Sequence, residues 1–372
     1  MNQGEIKTDR IRKIFACLEA DKVPKIESYW PGFIKKWKAE KGNHDIAVYY
    51  DFDGVWMFPN IEPHIKKREI IEKGDNYEVW RSGFGYLVRE QDNAPMAQYL
   101  EPMFKDISDY DKLVFDDPKD TRRFYDPIDD ILVRDGIPFA EWCDRYRNNF
   151  CIMGGACEPY EYIWRLRGSE EALIDIILYP DVIKRFAERF TDWMISNCEV
   201  QIEQGVSGFF VAGDVAYHKG MMFSPKLWRE IFEPSVKRMW SFFKENNVIG
   251  MYHGCGAPFD IMDDLVNDVD IKVFNPLEVK AGFDVVEMKR KYGRKLAYYG
   301  NIDVRILEHG TKEDVEKEVL YKLNAAKGGG YVPASDHSVS WDVKVENFDY
   351  MHKLIDEYGK YPLSLGKYDV DI

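Results

Sequence analysis

The sequence predicts an α/β protein folded as a (β/α)8 TIM barrel with an N-terminal insertion, and three observations carry that expectation. From residue 150 onward, short apolar runs alternate with longer amphipathic ones, which is the rhythm of βα units. The runs are almost continuously hydrophobic, as parallel strands covered on both faces must be. Side chains able to do chemistry sit just after the runs, where a barrel places its site. A chain of 372 residues fits one barrel with insertions as well as two average domains. No G-x-G-x-x-G follows an early strand, which removes the usual support for an open dinucleotide-binding sheet.

In chain order, "VPKIESYW" (23–30) and "DIAVYYDF" (45–52) are the first two candidate strands. Residues 51–130 then break the rhythm with turns and aromatics; within them "YEVWRSGFGYLVRE" (77–90) predicts a hairpin. No Pro/Gly/Ser linker isolates this stretch, so residues 1–372 are expected to form a single barrel with 51–130 as an insertion or lid. The remaining strands are "FCIMGG" (150–155), "GFFVAGD" (208–214), "VIGMYH" (248–253), "IKVFN" (271–275), "KLAYYG" (295–300) and "GYVPAS" (330–335). Segments 169–179, 180–204, 225–246, 283–291, 311–327 and 345–359 carry the i, i+3, i+4 apolar spacing of helices. Ser224 before Pro225, and Thr311 before Asp314, mark two helix starts.

Composition narrows the function. Hydrophobic residues make up 45% of the chain and aromatics 15%, ample for a large core, and the net charge of −14 argues against binding phosphate backbones. The start "MNQGEIKTDRIRKIF" has no apolar leader region and no window nears 18 apolar residues, so a soluble cytoplasmic protein with no membrane or nucleic-acid partner is expected. The six cysteines are scattered and most should be buried thiols. His44, His64, His309 and His352 lie in polar or helical contexts and are expected to have no special role.

The residues ending the apolar runs are Asp214, His253 and Cys255, Glu278, Asn301 and Asp303, and Asp336 and His337. Zinc takes four nitrogen, sulfur or oxygen ligands, and His253, Cys255, Glu278 and His337 offer such a set. In an extended H-x-C the first and third side chains face the same way, so one strand end can present two ligands. Against this stands the fact that H-x-C is short and that a histidine is more often a hydrogen-bonded core residue.

At this point the residues resemble a family. "SPKLWREIFEPSVKRMWSFFKENNVIGMYHGCGAPFDIMDDLVNDVDIKVFNPLE", "YYGNIDVRILEHGTKEDVEKEV" and "GGGYVPASDHSVSWDVKVEN" resemble the uroporphyrinogen decarboxylase superfamily across roughly residues 150 to 350. That superfamily includes porphyrin decarboxylases, corrinoid-linked zinc methyltransferases and, more distantly, cobalamin-independent methionine synthase, all barrels. In the zinc branch the resemblance implies ligands at His253, Cys255, Glu278 and, for the last, His337. The family's last ligand is a cysteine, so this chain departs there, and Asp336 is a possible substitute. His337 also coincides with a histidine of the decarboxylases.

The resemblance to true decarboxylases implies an arginine-rich N-terminal segment, and "VPKIESYWPGFIKKWK" has lysines instead, without the bidentate grip of arginine on carboxylates. The zinc branch therefore explains more of the chain. With Cys255 and Glu278 anionic and both histidines neutral, a Zn²⁺ site would be formally neutral, which suits polarising the oxygen of a methyl donor. The expected function is zinc-dependent transfer of a methyl group from a small donor, such as an aromatic methyl ether (O-demethylation), to the Co(I) corrinoid of a partner protein. No D-x-H-x-x-G corrinoid loop is present, so the corrinoid must come on that partner. Asp214, His218 and Glu278 are the expected catalytic residues; Tyr217, Tyr299, Asn301, Trp56 and Trp341 are expected to line the substrate, although each could equally be ordinary packing. A homodimer is left open. The alternatives are a porphyrinogen-type decarboxylase using Asp214 and His337, a methylcorrinoid-to-thiol methyltransferase, and a barrel that has lost its chemistry.

Overall fold

A computed structural model describes residues 1–66, 68–91, 97–127 and 136–372. Seven parallel strands follow one another around a curled sheet: β1 (Gly54–Trp56), β2 (Cys151–Cys157), β3 (Gly208–Ala212), β4 (Ile249–His253), β5 (Val273–Asn275), β6 (Ala297–Ile302) and β7 (Tyr331–Ser335). Each strand pairs with its sequence neighbour, as successive right-handed βα crossovers require. Residues of β2, β5, β6 and β7 are buried throughout, which is why their sequences run apolar without alternation.

The eighth position belongs to residues 23–30, and here the expectation of a strand needs correcting. Among the described residues this segment forms one isolated bridge, Tyr29 with Val339, but it touches both edges of the sheet. On one side the Asp53 amide donates to the Lys25 carbonyl at 2.7 Å and the Lys25 amide to Asp53 Oδ2 at 2.8 Å. On the other side the Ser335 amide and hydroxyl donate to the Glu27 carboxylate at 3.2 and 3.0 Å. Single backbone bonds and the Asp53 and Glu27 side chains therefore take the place of a ladder, and the sheet closes into a TIM barrel.

The strand expected at 45–52 is also displaced. Asp45 Oδ1 accepts from the amides of Ala47 and Val48 at 2.9 and 3.2 Å, capping a helix at Ile46–Tyr49, and the strand itself begins at Gly54. Between β1 and β2 lies an antiparallel sheet of Glu69–Lys73, Tyr77–Arg81, Leu87–Gln91 and Gln98–Glu101, whose middle pair is the expected hairpin. Residues 67, 92–96 and 128–130 of the expected insertion lie outside the described residues.

The helix starts form as their residues dictate. Ser224 Oγ accepts from the Leu227 amide at 3.2 Å, and Thr311 with Asp314 closes a reciprocal capping box. The helix expected over 225–246 is instead two, Pro225–Ile231 and Glu233–Glu245. Pro234 has no N–H to offer the preceding turn and its ring crowds the carbonyl four residues back, which breaks the run at Phe232. Among the described residues, no helix is long and apolar enough to cross a membrane.

Candidate active site

The C-terminal ends of β3, β4 and β5 and the turn after β7 converge on one cluster. His253 ends β4, and Cys255 follows it by two residues, so both project into the barrel mouth. Cys255 Sγ lies 3.3 Å from His253 Nε2. Ligand atoms sharing a tetrahedral zinc stand roughly 3.5 Å apart, given bond lengths of about 2.0–2.3 Å, so this separation is one that a metal could bridge. The other ring nitrogen, His253 Nδ1, meets Asn275 Oδ1. The Asn275 amide nitrogen donates to the Tyr299 carbonyl at 2.8 Å, which fixes the amide's orientation and makes its oxygen the acceptor for the ring. Neutral His253 therefore carries its proton on Nδ1 and turns a lone pair on Nε2 toward Cys255.

Cys255 belongs to two groups of donor atoms, each lying mutually within 4.8 Å: Asp214, His253 and Cys255, and Cys255, Glu278 and His337. The two triads share Cys255, and between them they contain His253, Glu278, His337 and Asp214. Asp214 Oδ1 accepts from the Cys255 amide at 2.8 Å and sits 3.7 Å from His253 Nε2. Glu278 Oε2 accepts from the Gly256 amide at 3.1 Å, and its Oε1 lies 3.4 Å from Lys280 Nζ. Gly256 has φ +76°, and a Cβ there would come within 2.6 Å of the Tyr217 backbone, so only glycine lets the chain after Cys255 pass this close.

Burial, with Asp214 and Glu278 nearby, pushes the Cys255 thiol well above its ordinary pKa. A divalent cation would reverse that logic by stabilising the thiolate. Burial holds His337 below the usual histidine range, in the neutral form that a ligand requires. Its ring lies 6.2 Å from that of Trp30 and stacks on it. Asp336 behaves differently: its two oxygens accept from the Val279 amide at 2.8 Å and the Val304 amide at 2.9 Å, tying the β5 and β6 loops together. Burial lifts its pKa to about 6. His337 is in one of the two donor groups, and Asp336 is in neither.

A cleft of about 340 Å³ opens onto Cys255 and Glu278 and is lined further by Ala216, Tyr217, His218, Gly256 and Lys280. The sequence of residues 100–358 matches the model of the uroporphyrinogen decarboxylase family, which is well over half of the chain. The chain belongs to that family. A methyltransferase from Methanosarcina mazei has a similar structure, with TM-score 0.66 and 17% identity, over 95% of this chain and 98% of that one. A B12-independent methionine synthase from Shewanella sp. W3-18-1 gives TM-score 0.46 and 11% identity, over 83% and 82% of the two chains. No curated protein matches the sequence.

In this member of the uroporphyrinogen decarboxylase family, Tyr217 and His218 line the cleft, while Trp56, Tyr299, Asn301 and Trp341 do not. Asn301 is fully buried; its oxygen accepts from the Val285 amide and its nitrogen donates to the carbonyls of Leu277 and Phe283. It also has φ +67°, a left-handed conformation that asparagine tolerates. Asn301 is a loop anchor here, which corrects the expectation that it touches substrate. Trp341 is half exposed over the helix Pro31–Lys41, where its carbonyl accepts from Lys36 Nζ at 3.0 Å, and it does not line the cleft. Trp56 stacks on Phe210 at 4.7 Å, and Phe210 packs on His253 at 4.5 Å, so Trp56 supports the cluster from below. Tyr299 is buried in the barrel core.

Several residues of the site went unnoticed in the sequence. Asn275 ends the β5 run and Lys280 follows Glu278 closely, so position alone could have flagged both. Glu158 and Glu161 come directly after β2, the same kind of place as Asp214. Glu158 is fully buried; burial, Glu161 and Asp214 raise its pKa well above 4.5 against backbone bonds from Tyr160 and Glu161, so it is a neutral acid.

Proposed function

We propose that this protein is a zinc-dependent methyltransferase that takes a methyl group from a small donor, an aromatic methyl ether being the preferred class, and passes it to the Co(I) corrinoid of a partner protein. The observation that carries this reading is Cys255 Sγ shared by two triads of donor atoms, one with Asp214 and His253 and one with Glu278 and His337, at the mouth of the barrel. The donor set suits zinc: one thiol, two imidazoles and carboxylate oxygens, with the His253 tautomer already fixed by Asn275. His253, Cys255, Glu278 and His337 would hold the ion. Bound there, zinc would supply Lewis acidity toward the donor's oxygen.

The chain's own residues would do the rest. Tyr217 would lie against the donor's ring, and the Cys255–Gly256 backbone with Glu278 would form the opposite wall. The partner's corrinoid would supply the methyl acceptor, and loss of the methyl group to it would break the C–O bond and leave both of its electrons on the donor oxygen. His218, which lines the cleft, is suited to give that oxygen a proton and release it as a hydroxyl. The corrinoid partner would cover the strand C-terminal ends.

A decarboxylase of porphyrinogens finds less support. Lys280 is the only Lys or Arg among the cleft-lining residues, and it already faces Glu278, which leaves a substrate bearing many carboxylates without cationic partners. The test is metal content together with methyl transfer to a supplied Co(I) corrinoid, for wild type and Cys255→Ser. About one zinc per chain, lost on substitution along with methyl transfer, supports the proposal; wild type active without metal overturns it.

A further inference from the structure

The cleft wall that carries Asp214, Tyr217 and His218 is held from behind by side chains that no substrate reaches. Glu161 and Arg165 lie on the helix Pro159–Arg167, with side chains only 1% and 12% exposed. Glu161 Oε1 accepts from the Asp214 amide at 3.1 Å. Its Oε2 accepts from Arg165 Nη2 at 2.9 Å and from the Trp164 indole at 3.3 Å. The Arg165 guanidinium lies 4.4 Å from the centre of the Trp164 ring, and its Nη1 donates to the Tyr99 hydroxyl at 3.2 Å.

Tyr99 belongs to Gln98–Glu101, the last strand of the antiparallel insertion, and packs edge-on against Trp164 at 5.5 Å and Tyr86 at 4.9 Å. One connected path therefore runs from Tyr99 through Arg165 and Glu161 to the Asp214 backbone, and on through Asp214 Oδ1 to the Cys255 amide. Charge gives the path its importance. Glu158, Glu161 and Asp214 crowd one region, and Arg165 is the cation bonded to Glu161 there. Arginine's planar fork lets one side chain neutralise Glu161 and bond Tyr99 at the same time, which lysine's point charge does not reproduce. A buried ion pair gives little net stability by itself, so its value here is geometric.

We propose that Glu161 and Arg165 are positioning residues that fix the place of Asp214 and tie it, through Tyr99, to the insertion sheet. The proposal rests on the reading of Asp214 as part of the working site, and its test includes a measurement that does not need that reading to hold. Arg165→Met keeps the stem and removes the fork; Tyr99→Phe removes only the hydroxyl. Amide hydrogen exchange across residues 213–218 is expected to speed up about fivefold or more in Arg165→Met and detectably in Tyr99→Phe, while β7 on the far side of the barrel keeps its protection.

Glu161→Gln retains an acceptor for the Asp214 amide, so it should keep more of the 213–218 protection than Glu161→Leu; a general loss of stability would not produce that rescue. In the methyl-transfer assay, Tyr99→Phe should lower kcat by about threefold to tenfold with KM nearly constant. Unchanged exchange at 213–218 in a folded Arg165→Met protein, or equal loss of protection along the whole chain, overturns the proposal. Should Arg165→Met fail to fold, Tyr99→Phe decides by the same criterion. A wild type that transfers no methyl group would sink the proposed function and leave the exchange result to judge the positioning role.

Discussion

His253 Nδ1 is bonded to Asn275 Oδ1, and this one contact fixes which nitrogen of His253 is free to bind a metal. The partner is set by strand register, because His253 on β4 pairs directly with Asn275 on β5.

Loss of that contact should weaken the metal site without removing a ligand. Asn275→Ala frees the ring to rotate and to change tautomer, and outer partners of this kind are typically worth about 10–100-fold in metal affinity. Competition with a chromophoric chelator would measure it. Unchanged affinity would mean that Asn275 does not orient the ligand.

The two residues after β7 should separate in their effects. His337→Ala is expected to lose zinc with little change in thermal stability. Asp336→Asn should keep zinc and lose about 1–3 kcal/mol of stability, because a buried backbone amide of Val279 or Val304 forfeits its acceptor. Metal analysis and denaturant unfolding of both variants provide the check, and the reverse pattern would make Asp336 the ligand.

Glu27 should impose a pH dependence on stability. Burial raises its pKa from 4.5 to about 7 against the opposing bonds from Ser28 and Ser335. Between those values the folded protein holds a proton that the unfolded chain releases, so stability is full below pH 4.5 and declines as pH rises through 7. The loss is on the order of 3 kcal/mol. Glu27→Gln should match wild type at low pH and exceed it increasingly toward pH 8 in thermal melts; a constant difference at every pH would refute the assignment.

His352 should act in the opposite sense. It is buried among Tyr50, Phe52 and Phe348 with neither ring nitrogen bonded among the described residues, and burial near Lys25 holds its pKa well below 6.5. The unfolded chain gains a proton below 6.5 that the folded protein refuses, so the contribution is present above 6.5 and lost as pH falls below it. His352→Phe should resist acid unfolding between pH 6.5 and 5 better than wild type, as followed by circular dichroism.

The sequence revealed the barrel and the cluster to different degrees. Strand ends were legible because an apolar run stops abruptly at Asp214, His253 or Glu278, and a parallel barrel puts all such ends on one face. Residues 45–52 misled because Ile46, Val48, Tyr49 and Tyr50 favour strands, whereas the Asp45 cap commits them to a turn of helix. Asn301 looked like a site residue for the same reason as Asp214. Only the structure shows its amide already consumed by three backbone groups. Position could have flagged Asn275 and Glu161, but not what they do, because their bonds depend on strand register and helix rotation, which composition and periodicity do not encode.

The segment 23–30 gives the barrel a seam. Seven staves are stitched by backbone ladders, whereas the eighth is pinned by Glu27 to Ser335, by Lys25 to Asp53 and by the Ser28 carbonyl to the Val339 amide. The seam can part without unpairing any two strands. His337 stands on its margin, stacked on Trp30 and two residues beyond Ser335, so the proposed last donor sits where the barrel is joined by single contacts and not by a strand ladder.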